Sequence, residues 1–256
     1  MRNGTALITG ASGGLGLEFA KLCAKDGYDL VLTARSEDKL LRIKHDLEQE
    51  YGITVYVCPC DLSETDAAVD VFDFTLEHDL TIDILINNAG FGVSGSFADS
   101  GWERQYDLIQ VNITSLIQLT HCFLKGMLSR GKGKILNLSS VAAFCAGPDM
   151  SVYYASKAFV RSFSEALSEE TKGTGVTVTA LCPGPTATGF EKAASGSELN
   201  MFKNAGDPAG TALIGYQAMM RGKELCYPGR TAKLMDLGSR ISPRSISRKI
   251  AAKMNH

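Results

Sequence analysis

Short apolar runs alternate along this chain with longer stretches in which apolar residues recur every three or four positions. Thr5–Thr9, Asp29–Ala34, Thr54–Cys58, Asp83–Ile86, Gly133–Leu138 and Val176–Leu181 are runs of the first kind. Continuous apolar runs of this length suit strands buried on both faces. Gly14–Asp26, Glu37–Tyr51, Ala67–His78, Tyr106–Leu128, Val152–Thr171 and Pro208–Arg221 carry the helical spacing. A last short strand is expected at Glu224–Tyr227. Strand and helix in strict succession predict an α/β fold, a doubly wound parallel sheet of about seven strands with helices on both faces. With no linker and no repeat, residues 1–256 read as one domain.

Two stretches depart from the rhythm. Residues 185–207 are rich in Gly, Ser, Thr and Ala and follow a strand, where sheets of this kind open their ligand crevice. They read as a lid over that crevice, against the plainer reading of a surface loop. The tail 229–256 carries seven Lys/Arg against one Asp. Within it Ile241, Ile246, Ile250 and Met254 recur at roughly helical spacing among basic residues. A helix packed beside the substrate cleft or at a subunit contact is favoured. The rival is peripheral contact with an anionic membrane surface, for which the apolar face is short.

Composition narrows the classes of function. The chain has 256 residues, 45% hydrophobic and 21% charged, enough for a large core without disulfides or metals. A formal charge of −2 offers no electrostatic footprint for nucleic acid. The seven cysteines are scattered and odd in number, and Cys58-Pro59-Cys60 lacks a second ligand pair, so buried inert thiols are expected. Four scattered His give no metal site. The apolar N-terminal stretch is shorter than a signal peptide needs, and a cytoplasmic setting follows as the default.

The candidate chemistry begins at Tyr153 and Lys157, four apart on a helical pattern and therefore on one face. An ammonium beside a phenol favours the phenolate, which makes the tyrosine a general acid/base near neutral pH. Between the first strand and first helix lies Thr9-Gly10-Ala11-Ser12-Gly13-Gly14-Leu15-Gly16. Glycines allow the tight turn, and the helix N-terminus offers free N–H groups to a pyrophosphate. A dinucleotide site follows from that placement.

The spacing Thr-Gly-x-x-x-Gly-x-Gly resembles the fingerprint of the short-chain dehydrogenase/reductase family, whose members share a Rossmann fold. The resemblance extends through Asp61-Leu62, Asn87-Asn88-Ala89-Gly90, Asn112, Ser140 thirteen residues before Tyr153, and Pro183-Gly184 with Thr188. It implies a catalytic set of Asn112, Ser140, Tyr153 and Lys157. Tyr153 would exchange a proton with the substrate oxygen, Lys157 would lower its pKa and hold the nicotinamide ribose, and Ser140 would bond the carbonyl oxygen. Asn112 would anchor a water that relays protons. Cofactor contacts are expected from Gly10, Ser12, Gly13, Gly14, Leu15, Gly16, Arg35, Asp61, Leu62, Asn88, Ala89, Gly90, Tyr153, Lys157, Pro183, Gly184, Thr186 and Thr188. The pair Ala34-Arg35 and the segment Ser242-Pro243-Arg244 resemble an NADP-preferring subgroup of bacterial reductases and long-chain 3-ketoacyl and hydroxysteroid reductases.

Cofactor choice is read at the end of the second strand. An acid there would bind a ribose 2′-OH. Leu32-Thr33-Ala34-Arg35-Ser36 puts Ala34 in the acidic slot and follows it with a guanidinium able to fork onto a phosphate, so NADP(H) is preferred over NAD(H).

The segments expected to frame the substrate are apolar: Phe91-Gly92-Val93, Val141–Pro148, and Phe190, Leu199, Met201 and Phe202 of the lid. They suit a lipid-like, steroid or aromatic ketone or its alcohol. Solvated surface positions are expected for Lys192 and Lys203. Two function classes stand, an NADP(H)-dependent carbonyl reductase or alcohol dehydrogenase and a non-catalytic dinucleotide sensor on the same fold. A sensor need not keep four proton-transfer groups, which favours the enzyme. The long helices from Tyr106 and Val152 are expected to build a homodimer or homotetramer.

Overall fold

Seven strands form one parallel sheet in the order β3-β2-β1-β4-β5-β6-β7 in the computed structural model of the chain, which describes residues 3–190, 205–241 and 243–255. The strands are β1 (Thr5–Thr9), β2 (Asp29–Ala34), β3 (Val55–Pro59), β4 (Ile82–Asn87), β5 (Gly133–Leu138), β6 (Val176–Leu181) and β7 (Leu225–Cys226). Around them lie α1 (Gly14–Lys25), α2 (Glu37–Tyr51), α3 (Ala67–Glu77), α4 (Trp102–Ile109), α5 (Ser115–Arg130), α6 (Ser151–Glu170), α7 (Pro208–Met220), α8 (Arg230–Ile241) and α9 (Arg244–Asn255). The doubly wound sheet expected from the alternating pattern is the observed one.

Alternation along each strand divides the core into two layers. Ala6 and Ile8 of β1, Leu30 and Leu32 of β2 and Ile84 and Ile86 of β4 face Phe19, Cys23, Leu40 and Met219. Leu7, Val31, Leu85, Ile135 and Val178 face the other way, onto Val71, Leu119, Phe123 and Met127. Each fully buried aliphatic side chain contributes about 1.5–3 kcal/mol relative to exposure. That explains why β1, buried along its whole length, reads as an unbroken apolar run. The strand order reverses between β2-β1 and β1-β4, which opens a crevice at the carboxyl ends of β1 and β4.

Three elements differ from expectation. The helix expected over Tyr106–Leu128 starts at Trp102, ends at Arg130 and is broken by a π-helical turn at Gln110–Thr114. The extra residue of that turn carries Asn112, which hydrogen-bonds out of the helix, a common reason for such turns. Val141–Phe144 forms a 3-10 turn, capped by the Ser140 side chain, which accepts from the Ala142 N–H at 3.1 Å. The amphipathic pattern through Ile241 and Met254 is two helices, α8 and α9, with Pro243 between them.

Of the expected lid, residues 191–204, with Lys192, Leu199, Met201, Phe202 and Lys203, lie outside the described residues. Its described flanks are tied together, because Gly206 N–H donates to the Pro185 carbonyl at 2.8 Å and Ala187 N–H to the Gly206 carbonyl at 3.1 Å. Among the described residues no helix is long and apolar enough to cross a membrane. All seven cysteines are free thiols, and burial raises Cys58 and Cys182 to about 12. No group of three or more potential metal ligands occurs among the described residues.

Candidate active site

The crevice is built where β1 and β4 end. Thr9 stitches the two strands together. Its hydroxyl accepts from the N–H groups of Asn88 (2.9 Å) and Ala89 (2.8 Å), and the Asn88 amide donates to the Thr9 carbonyl (2.9 Å) and the Gly10 carbonyl (3.3 Å). That places Asn88-Ala89-Gly90 beside the glycine turn. At Gly16 a Cβ would stand 2.3 Å from the Gly10 carbonyl oxygen, so only glycine lets α1 start this close to the end of β1. At Gly13 an added Cβ would meet no protein atom within 4 Å. The turn is therefore closed on its inner side and open above the N-terminus of α1, the cradle that a dinucleotide pyrophosphate fits.

Across the sheet, Arg35 follows β2 and Asp61 follows β3. The Arg35 side chain is 74% exposed and reaches Asp61 only at 3.9 Å. The Asp61 carboxylate is turned toward its own loop, where it accepts from the N–H (3.1 Å) and hydroxyl (2.8 Å) of Ser63. Leu62 is buried, and its carbonyl accepts from the Ser115 hydroxyl at 2.7 Å.

On the far side of the crevice α6 carries Tyr153 and Lys157, both buried. The phenol of Tyr153 hydrogen-bonds Ser140, which pulls its pKa down, but burial outweighs this and pushes the phenol well above its ordinary value. The Lys157 ammonium donates to the Leu138 carbonyl at 2.8 Å and lies 5.8 Å from the centre of the Tyr153 ring. Burial pulls that ammonium down to about 8. Burial thus favours the protonated phenol, against the lowered pKa expected from a neighbouring ammonium. The neighbouring Ser139 donates to the Lys157 backbone carbonyl at 2.9 Å and so anchors α6 to the end of β5.

Asn112 sits behind this group, 1% exposed. A side chain at Gly90 would come within 3.0 Å of its Oδ1 and 3.3 Å of Lys157 Nζ. Its side-chain amide is engaged within the protein. Oδ1 accepts from the Phe91 N–H (3.1 Å), and Nδ2 donates to the Phe91 carbonyl (3.0 Å) and the Ser156 hydroxyl (3.1 Å). In this arrangement Asn112 clamps the loop after β4 to α6.

Ser140, Tyr153 and Lys157 open onto one cavity of about 320 Å³. Leu15, Asn88, Gly90, Pro183, Gly184, Thr186 and Thr188 line it as well, whereas Gly10, Ser12, Gly13, Gly14, Gly16, Arg35, Asp61, Leu62, Ala89 and Asn112 do not. Val141, Ala142, Phe144 and Cys145 supply apolar wall, and Phe190 packs its ring 5.1 Å from that of Tyr153. Phe91-Gly92-Val93, expected at the substrate, stand behind the wall: a Cβ on Gly92 would meet Phe190 at 2.8 Å and Met150 at 2.9 Å. The outer wall was not legible in the sequence. Met235, Gly238 and Ser239 of α8 and Ser247, Ile250 and Ala251 of α9 form it. The tail's helical spacing left the cleft and a subunit contact both open; α8 and α9 line the cleft.

Comparison with known proteins gives the family and the fold. The family model described as short chain dehydrogenase matches residues 4–198. The chain is 40% identical to the 17-beta-hydroxysteroid dehydrogenase type 3 of Mus musculus over 183 residues, 70% of this chain and 58% of that protein. It is 34% identical to the very-long-chain 3-oxoacyl-CoA reductase of Anas platyrhynchos over 227 residues, covering 87% of this chain and 72% of that one. Among solved structures, a short-chain dehydrogenase from Sphingobium yanoikuyae in complex with NADPH superposes with a TM-score of 0.84 at 32% identity, covering 93% of both chains. One from Burkholderia phymatum in complex with NAD has a TM-score of 0.84 at 25% identity, covering 96% of both.

Proposed function

The chain belongs to the short-chain dehydrogenase family, and on that footing we propose that it is an NADP(H)-dependent oxidoreductase interconverting an apolar ketone and its alcohol, with Tyr153 as general acid/base. The observation that carries the reading is the convergence of Ser140, Tyr153 and Lys157 on one apolar cavity next to a phosphate-cradling turn. A nicotinamide dinucleotide supplies the hydride when bound. Every other part falls to the chain's own residues. A ketone oxygen seated between the Ser140 hydroxyl and the Tyr153 phenol receives two hydrogen bonds as it gains charge. Tyr153, protonated in its buried setting, passes it the proton. Lys157, held by the Leu138 carbonyl, offers a positive charge near the phenolate left behind. The apolar walls keep water away from both.

NADP(H) preference rests on the missing acid at Ala34 and on the exposed guanidinium of Arg35, whose contact with Asp61 is long enough to leave it open to a phosphate. Steroid-like, lipid-like or aromatic ketones suit the wall of Val141, Ala142, Phe144, Met150 and Phe190. A homodimer or homotetramer through the long helices from Tyr106 (α4 into α5) and from Val152 (α6) belongs to the same proposal, supported by exposed Tyr106, Leu128 and Phe159. The test is a panel of bulky and small ketones and alcohols assayed with both cofactors. Turnover of bulky apolar ketones with NADPH at higher kcat/KM than with NADH is expected. A protein that binds NADPH and turns over no member of the panel would overturn the reading in favour of a dinucleotide sensor.

A further inference from the structure

The catalytic helix has a third functional position on the face that carries Tyr153 and Lys157. Arg161 lies four residues beyond Lys157 and does not itself line the cavity. Its Nη1 meets Asp236 Oδ1 of α8 at 2.6 Å, and the two side chains are only 14% and 9% exposed. The other Asp236 oxygen accepts from the Tyr227 hydroxyl at 3.0 Å, just past β7. The flat face of Arg161 lies 5.0 Å over the Phe144 ring, which in turn stands 5.9 Å from Tyr227. Glu165 approaches the same guanidinium at 3.4 Å from the next turn of α6.

We propose that the Arg161–Asp236 pair is the latch that seats α8 as the outer wall of the substrate pocket, making both residues positioning residues that determine specificity. The proposal rests on the ketone-reductase reading above for its substrate. Asp236 lies beside Met235 and close to Gly238 and Ser239, all three of which line the cavity, as does Phe144 beneath Arg161. α8 packs on the 3-10 turn Val141–Phe144, the turn that Ser140 caps. Apolar burial seats this helix only in part: Ala232 is buried, but its two leucines, Leu234 and Leu237, are 66% and 56% exposed. A buried ion pair adds little net stability but strongly penalises arrangements that separate its members. The planar fork of Arg161, held between Phe144 and Glu165, allows Asp236 one place and α8 one orientation. The wall that meets the far end of a bulky ketone is therefore set by a contact that touches neither substrate nor cofactor.

The test compares wild type, Asp236→Ala and the apolar double variant Arg161→Met/Asp236→Leu, with Asp236→Asn in place of Asp236→Ala should the latter fail to fold. Three quantities are read: kcat and KM with NADPH for a steroid-sized and a small cyclic ketone, NADPH affinity, and backbone hydrogen exchange across residues 230–241. In the single variant the ratio of kcat/KM for the large to the small ketone falls by at least about ten-fold, through KM of the large one. For the small ketone kcat stays within about three-fold and NADPH affinity within about two-fold, while α8 exchanges faster and α1 does not change. The double variant, which leaves no buried charge unpaired, recovers α8 protection and most of the ratio. An unchanged ratio, a parallel loss on both ketones, or α8 exchange equal to wild type would each overturn the proposal. If the wild type reduces no ketone, the reading of the site fails, and the exchange measurement still decides whether Arg161 and Asp236 hold α8.

Discussion

The ammonium of Lys157 donates to the backbone carbonyl of Leu138 at 2.8 Å, joining the second turn of α6 to the last residue of β5. The contact holds the charge within reach of Tyr153 without placing it on the phenol. The Tyr153 phenol then answers to burial, which raises its pKa, and to its hydrogen bond with Ser140, which lowers it.

Replacing Tyr153 by Phe removes the proton and keeps the ring. Turnover is expected to fall by about 10² to 10⁴, the range for loss of a general acid, with NADPH affinity changed by less than about three-fold. Steady-state kinetics and a fluorescence titration check both halves. Full activity would sink the mechanism.

Lys157 gives the protein a pH signature of its own. Its ammonium titrates near 8 in the folded, cofactor-free chain, against an ordinary value of 10.5. Between these values the unfolded chain binds the proton and the folded one does not, so this residue's contribution to stability rises with pH. Relative to Lys157→Met, wild-type unfolding free energy should therefore gain up to about 1.4 kcal/mol per pH unit between pH 8 and 10.5, and nothing below that window. Urea unfolding of the two proteins at pH 7 and 9.5 measures the difference.

At the adenosine end, Arg35→Asp puts back the acid that Ala34-Arg35 lacks. The ratio of kcat/KM with NADPH to that with NADH should drop by at least about ten-fold, a change of about 1.4 kcal/mol. An unmoved ratio would show that the phosphate, if bound, is read elsewhere.

Gly238 lines the cavity, and an added Cβ there meets no protein atom within 4 Å. Gly238→Leu should fill the pocket mouth without a clash, lowering kcat/KM for a steroid-sized ketone by about ten-fold or more and for a small one by less than about three-fold. Helix propensity improves by about 0.8–1 kcal/mol, so Tm should hold or rise. A loss shared equally by both ketones would contradict the placement of α8 at the substrate.

Local patterns carried most of the fold. Unbroken apolar runs such as Leu7-Ile8 and Leu30-Val31-Leu32 announce strands covered on both faces, because burial leaves no room for a polar alternate. Thr9-Gly10 through Gly16 declares itself because a side chain at Gly16 would collide with the Gly10 carbonyl oxygen. Tyr153 and Lys157 were legible because they lie one helical turn apart, and Ser140, two residues past β5, through the resemblance of its spacing to the family's serine.

Contacts between distant segments were not legible. Nothing near Asn112 in sequence says that its amide binds the backbone of Phe91 and the hydroxyl of Ser156, or that the helix carries a π-helical turn there. The spacing of Tyr153 and Lys157 puts them on one face, but only the fold brings Leu138 to the ammonium and buries the phenol, which raises its pKa. The tail's pattern predicts a helix, and the union of Arg161 with Asp236, 75 residues apart, turns that helix into a wall of the pocket. Sequence by itself determined which segments become strand, helix and phosphate turn, because those follow from side-chain periodicity and backbone sterics. Tertiary structure decided the protonation of the site and the shape of its pocket, because both depend on what burial brings together.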